Sequence, residues 1–184
     1  MKNALILHGT NSSPEANWFR WLEGELTARG YNVWVPQLPL SMFPNVRRYN
    51  KFIFSSNWEF NHESVIIGHS AGAVEILGLL QKLPRGVVIE HAILVGAFTD
   101  DLKWPQLQGL FEEPFDYGKI KKKAKKFTFL HSDDDPFCPL AGAEYLAKEL
   151  GGELTVVPGA KHFSIGTGGE RFKTLPILLT FLGE

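Results

Sequence analysis

Three sets of residues in this 184-residue chain have the side chains needed for covalent acyl chemistry. They are Ser70 within Gly68-His69-Ser70-Ala71-Gly72, the run Asp133-Asp134-Asp135, and His162. A serine hydroxyl is a weak nucleophile until a neighbouring base removes its proton. Histidine is suited to that task near neutral pH, and a carboxylate behind it fixes the tautomer and stabilises the imidazolium. The glycines two residues to either side of Ser70 fit a strained turn, in which those positions come too close to neighbouring backbone for a larger residue. A turn of this kind lifts the hydroxyl clear of a sheet edge. It also aims the N–H of Ala71 at the place where a substrate carbonyl oxygen would gain charge.

The surrounding elements must hold that turn. Ser64 to Ile67 reads as the elbow strand, with Val65-Ile66-Ile67 its apolar run, and Ala71 to about Leu83 as a helix stopped by Pro84, so the serine stands between strand and helix as a nucleophile elbow requires. Asn3–Leu7 is a first strand ending in the polar loop from His8 to Pro14, and Val33-Trp34-Val35 is a second. Between them Asn17 is placed to cap a helix running to about Arg29, which Gly30 ends. Pro36 to Pro44 holds three prolines and cannot be regular. Val46 to about Trp58 reads as helix, Ala92–Val95 and Phe127–Leu130 as strands, Leu140 to about Leu150 as helix and Leu154–Val157 as the last strand. Gly169 to Gly183 is expected to be mostly helical, interrupted by Pro176. Asp100 to Lys119 shows no clean period and has the character of a binding loop. The six lysines of Lys119–Lys126 suit a solvated helix face leading into a strand. Strands and helices thus alternate about six times. The expected fold is α/β, a three-layer sandwich around a mostly parallel sheet of about six strands, formed by residues 1–184 as a single domain.

In such sheets chemistry collects beyond the carboxyl ends of the strands. The acid and the base meet this condition: the aspartates directly follow one strand and His162 follows the next by five residues. The chain order Ser, Asp, His is that of the α/β-hydrolases. Three adjacent aspartates would repel one another if all were buried and ionised, so one is expected to point inward. Asp135 is the choice, because Pro136 holds it extended; Asp134 is the alternative. Ala71 N–H is expected to supply one oxyanion donor and Thr10 N–H the other, with Asn11 as the alternative to Thr10. Expected substrate contacts are His8, Gly9, Asn11 and His69, with Trp104 and Phe111 as apolar walls. Cys138 reads as a small buried hydrophobe, and Trp18, Trp21 and Trp34 as core.

The formal net charge of −1 argues against nucleic-acid binding through bulk charge. One cysteine excludes an internal disulfide and fits a reducing compartment. The apolar run at the N-terminus is too short for a signal peptide or a membrane span, so the expected location is cytoplasmic. The histidines show no metal-ligand spacing and no phosphate or dinucleotide loop is present, so neither metal nor cofactor is expected.

The chain resembles the small serine hydrolases typified by retinoblastoma-binding protein 9 and YdeN, a compact branch of the α/β-hydrolase fold. The resemblance rests on Asn17-Trp18-Phe19-Arg20-Trp21-Leu22, Gly68–Ala73, Ala97-Phe98-Thr99-Asp100-Asp101-Leu102, Ser132–Pro139 and Gly159–Phe163. It implies a triad of Ser70, Asp135 and His162. It also implies a sheet lacking the first strands of full-size α/β-hydrolases. Thr10-Asn11-Ser12-Ser13 stands where such proteins often carry a Gly-rich segment, a departure in the oxyanion loop. The expected function is a cofactor-independent serine hydrolase that cleaves an ester, thioester or amide of a small-molecule or peptide acyl substrate through an acyl-enzyme. The apolar stretch from Phe98 to Tyr117 points to an acyl or aromatic group. The alternatives are an interaction module on the same fold, with a protein partner and little turnover, and an acyltransferase using the same residues.

Overall fold

The computed structural model describes residues 1–183. Six strands form one sheet in the order β2-β1-β3-β4-β5-β6, every neighbouring pair parallel. They are β1 (Asn3–Leu7), β2 (Asn32–Trp34), β3 (Val65–His69), β4 (Ile89–Val95), β5 (Ala124–Ser132) and β6 (Glu153–Val157). Residues alternate between the faces along each strand. Leu5, Leu7, Ile66, Leu94 and Phe129 enter one core cluster, while Ala4, Ile6, Ile67, Ile93 and Leu130 enter the other. Helices α2 (Val46–Phe54), α3 (Ala71–Lys82), α4 (Tyr117–Ile120) and α5 (Leu140–Leu150) contribute to the first cluster. Helix α1 (Phe19–Ala28) and the C-terminal segment contribute to the second. This gives the three layers expected from the alternation of strands and helices.

The strand order reverses at β1, which lies between β2 and β3. Loops leaving β1 and β3 therefore run to opposite faces and open a crevice at the carboxyl edge, where α/β sheets bind ligands. Helix α3 is the central helix, with its first ten residues buried. Its close approach to α2 depends on Gly78, where an added Cβ would lie 2.2 Å from Val46 Cγ1.

Several boundaries differ from the sequence expectation. Strand β5 begins at Ala124, and register with β4 draws Lys125 and Lys126 into the sheet, where they pair with Glu90 at 2.5 Å and Glu153 at 3.1 Å. Helix α2 stops at Phe54 because the Ser55 and Ser56 hydroxyls bond back to the carbonyls of Phe52 and Ile53. The segment from Asp100 holds a 3-10 helix over Pro105–Leu110. The C-terminus is not one helix: a 3-10 turn over Glu170–Lys173 and α7 (Ile177–Phe181) are separated at Pro176, whose ring cannot continue a preceding turn. Helix α6 (Ile165–Gly168) is a single short turn before them.

Candidate active site

Ser70 has φ 56° and ψ −121°, an unfavourable conformation for any residue with a Cβ. Its N–H donates to Val95 O at 2.8 Å, fastening the elbow to β4. The flanking glycines are obligatory. A Cβ on Gly68 would lie 2.3 Å from Gly72 O, and one on Gly72 would lie 2.3 Å from Leu7 O. Strand β1 thus presses against the elbow from below, and Gly9 in the next loop would bring a Cβ to 3.0 Å from Ser70 Cβ.

The end of β5 and the loop that follows grip the loop after β6 through four consecutive residues. Ser132 Oγ accepts from Ala160 N–H at 3.0 Å, Asp133 from Gly159 N–H at 2.9 Å and Asp134 from Lys161 N–H at 2.8 Å, while Asp135 Oδ2 lies 2.7 Å from His162 Nδ1. The aspartates are therefore sorted by partner. Asp135 is the inward one, its side chain only 1% exposed, and its Oδ1 also accepts from the Phe137 and Cys138 N–H groups. Burial alone would raise its pKa, but the hydrogen bond and charge interaction with His162 and the two backbone donors outweigh this and hold it below the ordinary carboxylate value. Asp134 faces Lys161 Nζ at 2.7 Å and is held down to about 2 by Lys161 and Ser132. It does not reach His162.

The His162 loop is strained and strapped down. Lys161 and Phe163 both have positive φ, at 54° and 50°. Trp18 Nε1–H donates to Phe163 O at 3.0 Å, and His69 Nε2–H donates to His162 O at 2.8 Å. Asn17 does not cap α1 as expected. It has φ 51°, and its Oδ1 accepts from Ile165 N–H at 2.9 Å, across 148 residues of sequence. Burial, with the neighbouring His162 charge, drives the His69 pKa down to about 3, so His69 is a neutral donor and cannot be the base. His131 likewise donates to Cys138 O at 2.9 Å and holds the turn that carries Asp135.

Ser70 and His162 line one cavity of about 590 Å³ together with Gly9, Thr10, Asn11 and His69. Its apolar wall includes Met42, Phe98, Leu102, Trp104, Leu107 and Phe137. Trp104 is therefore at the cavity as expected. Two other sequence-predicted contacts are placed elsewhere. His8 is fully buried, donating through Nδ1 to Gly9 O at 3.0 Å and accepting Leu38 N–H at Nε2, also at 3.0 Å. A histidine ending a core strand folds under the following loop rather than into the pocket. Phe111 packs behind the wall, its ring 5.9 Å from that of Phe98. Phe137 and Met42 reach the pocket from loops with no periodicity, so no sequence pattern singled them out. Gly96 was also missed. It follows the last residue of β4 with φ 62°, and a Cβ there would meet His162 Cε1 at 3.2 Å and Nδ1 at 3.4 Å.

Asp135, Cys138 and His162 offer ligand atoms within 4.8 Å of one another. Burial raises the Cys138 pKa and keeps the thiol protonated, and both oxygens of Asp135 already carry donors. The trio fits a hydrogen-bonded acid–base pair better than a metal site.

Known proteins resemble this chain in structure or in sequence. The YdeN gene product of B. subtilis superposes with a TM-score of 0.89 at 28% identity, over 99% of this chain and 97% of that one. Serine hydrolase RBBP9 of Rattus norvegicus is 24% identical over 182 residues, covering 96% of this chain and 95% of the relative. Est1E of Butyrivibrio proteoclasticus with ferulic acid bound shares the fold at a TM-score of 0.70 and 14% identity, over 100% of this chain and 90% of that one. The family model for serine hydrolases spans residues 4–181, and the chain belongs to that family.

Proposed function

We propose that this serine hydrolase works through Ser70, His162 and Asp135, cleaving an ester, thioester or amide by way of an acyl-enzyme. The observation that carries the reading is the 2.7 Å pair between His162 Nδ1 and the buried Asp135, with His162 and the strained Ser70 on one cavity wall. Asp135 fixes the proton on Nδ1 and leaves Nε2 as the base. Nε2 takes the Ser70 proton as Oγ attacks the substrate carbonyl. The tetrahedral intermediate collapses as the leaving group receives that proton, and water activated by the same nitrogen then hydrolyses the acyl-serine.

Two N–H groups serve the oxyanion. Ala71 N–H heads α3 and Thr10 N–H lies in the loop after β1; neither donates to another group among the described residues. Thr10 is favoured over Asn11, whose N–H is spent on Ser41 O at 2.9 Å. His8 holds the Gly9 carbonyl, and in a trans peptide the Thr10 N–H then points the opposite way. His8 acts here as a positioning residue. Gly9, Asn11, His69 and Trp104 contact the substrate from the cavity wall, whose apolar character suits an acyl chain or aromatic group. No helix among the described residues is long and apolar enough to cross a membrane, and the single buried, reduced cysteine fits a cytoplasmic location.

The test is turnover of p-nitrophenyl esters from acetate to laurate. Measurable kcat/KM in the native protein and background rates in Ser70→Ala are expected. Equal rates in the two would overturn the assignment.

A further inference from the structure

The catalytic cavity is polar on part of its wall, yet among the described residues no Asp, Glu, Lys or Arg lines it. Its His69 is neutral and its Cys138 thiol keeps its proton. The carboxylates nearest in sequence lie outside the lining. Asp100 and Asp101 cap the Leu102 and Lys103 N–H groups at 2.8 and 3.0 Å, and Glu15 pairs with Arg20 at 2.7 Å. An anionic substrate would meet no cation on the wall and two carboxylates beside it. A cationic one would meet no carboxylate on the wall. Either would lose hydration without gaining an ion pair, so the wall suits an uncharged substrate.

Ala71 and His162 mark two sides of that cavity. Phe98 and Leu107 line it, are buried, and share a core cluster with Ala71. The loop that carries His162 meets Asn17, which also lines the cavity. This is the side the leaving group takes, because His162 returns the proton to it. Asn17 Oδ1 accepts from Ile165 N–H at 2.9 Å, which fixes the direction of the amide. Its Nδ2 is then a fixed donor that is not buried and has no partner among the described residues. On the same side the Phe137 ring stands 5.2 Å from that of His162, and the Trp104 ring 5.6 Å from that of Phe137. Both aromatic rings are exposed at the cavity mouth.

A sugar has the matching chemistry. It carries no charge, its hydroxyls accept from an amide donor, and the C–H faces of its ring pack on aromatic rings. We propose that the substrate is an acyl ester of a neutral sugar, with the sugar read by Asn17 Nδ2 and packed on Phe137 and Trp104, and the acyl group on Phe98 and Leu107. This rests on the hydrolase mechanism proposed above. Ser70 Oγ bonds to the acyl carbon, the bond from that carbon to the sugar oxygen breaks, and the sugar leaves with the proton from His162. Water then releases the carboxylic acid from Ser70.

The experiment compares butyrate esters that differ only in the alcohol: 6-O-butyrylglucose, ethyl butyrate, butyrylcholine and 4-butyryloxybutanoate. Each kcat/KM is divided by the rate of alkaline hydrolysis of the same ester, which removes the intrinsic difference between leaving groups. The sugar ester is expected to exceed each of the others by about tenfold or more, because a site built to bond hydroxyls rejects an alcohol lacking them. Asn17→Ala and Phe137→Ala are each expected to lower the ratio of sugar ester to ethyl ester by about fivefold, the worth of one neutral contact. A ratio cancels any uniform loss from loosening the His162 loop, and the exposed Phe137 gives a second reading should Asn17→Ala not fold. Equal native rates for the sugar and ethyl esters, faster turnover of either charged ester, or ratios unchanged in the variants overturns the proposal. A native protein that hydrolyses none of the esters and does not react with a fluorophosphonate would overturn the hydrolase mechanism. Calorimetry on Ser70→Ala then decides the sugar contact: tighter binding of 6-O-butyrylglucose than of ethyl butyrate supports it, and equal binding overturns it.

Discussion

Replacing Gly96 by Ala separates backbone strain from displacement of the His162–Asp135 pair. Gly96 has φ 62°, and an L-residue in that region costs about 1–2 kcal/mol. For a chain of this size each kcal/mol lowers Tm by about 2–4 °C, so a drop of roughly 2–8 °C is expected. The new methyl would also sit 3.2 Å from His162 Cε1 and 3.7 Å from Asp135 Oδ2. Carbon–carbon contacts are most favourable at about 3.5–4.0 Å, so the imidazole must retreat by roughly 0.3–0.8 Å. A misplacement approaching 1 Å can cost about a hundredfold in rate, and a fall in kcat/KM of about 10- to 100-fold is expected. Gly86→Ala is the control: it has φ 84° and no atom within 4 Å of the added Cβ. The two variants should melt alike, and only Gly96→Ala should lose activity on p-nitrophenyl acetate. Activity in Gly96→Ala within twofold of Gly86→Ala would refute the proposed dependence of catalysis on the His162–Asp135 position.

Asp135→Asn should lower kcat by about three to four orders of magnitude, because an amide can hold His162 in the wrong tautomer; more than a tenth of native activity would contradict this. Glu75 is fully buried, and its two carboxylate oxygens have no partner among the described residues. Burial raises its pKa well above 4.5, so between the unfolded and folded values the native state keeps a proton that the unfolded chain has lost, and stability falls as pH rises. Glu75→Gln should therefore raise Tm at pH 8 by more than at pH 4, and a pH-independent difference would refute the point. In the opposite direction, burial depresses His8, His69, His91 and His131, with His91 at about 4 and His69 at about 3. Their contribution to stability is present above about 6.5 and is lost as pH falls through those lower values, so Tm of Glu75→Gln, which lacks the opposing carboxyl, should fall from pH 7 to pH 5; a constant Tm in that variant would contradict it.

The Gly68–Gly72 elbow was legible because its glycines and flanking strand and helix lie within one local stretch. Asp135 and His162 were legible through strand ends, since a parallel sheet brings successive strand ends to one edge. What escaped the sequence reading depends on contacts between distant segments. Asn17 looks like a helix cap, but tertiary packing turns its carbonyl oxygen to Ile165 N–H. His8 was read as a pocket contact because it ends a strand, yet the Pro36–Pro44 loop covers it and takes up its ring through Leu38. Gly96 shows no motif because what it accommodates comes from two later loops. The neighbouring Asp133 is exposed, and both it and Asp134 also accept from the backbone of the His162 loop, contacts that follow from β5 and β6 lying side by side.

Activation of Ser70 by the pair behind it is tested by intact mass after incubation with a fluorophosphonate. A single adduct is expected on the native protein, none on Ser70→Ala and strongly slowed labelling of His162→Ala. An unlabelled native protein, or an equally labelled Ser70→Ala variant, would contradict it.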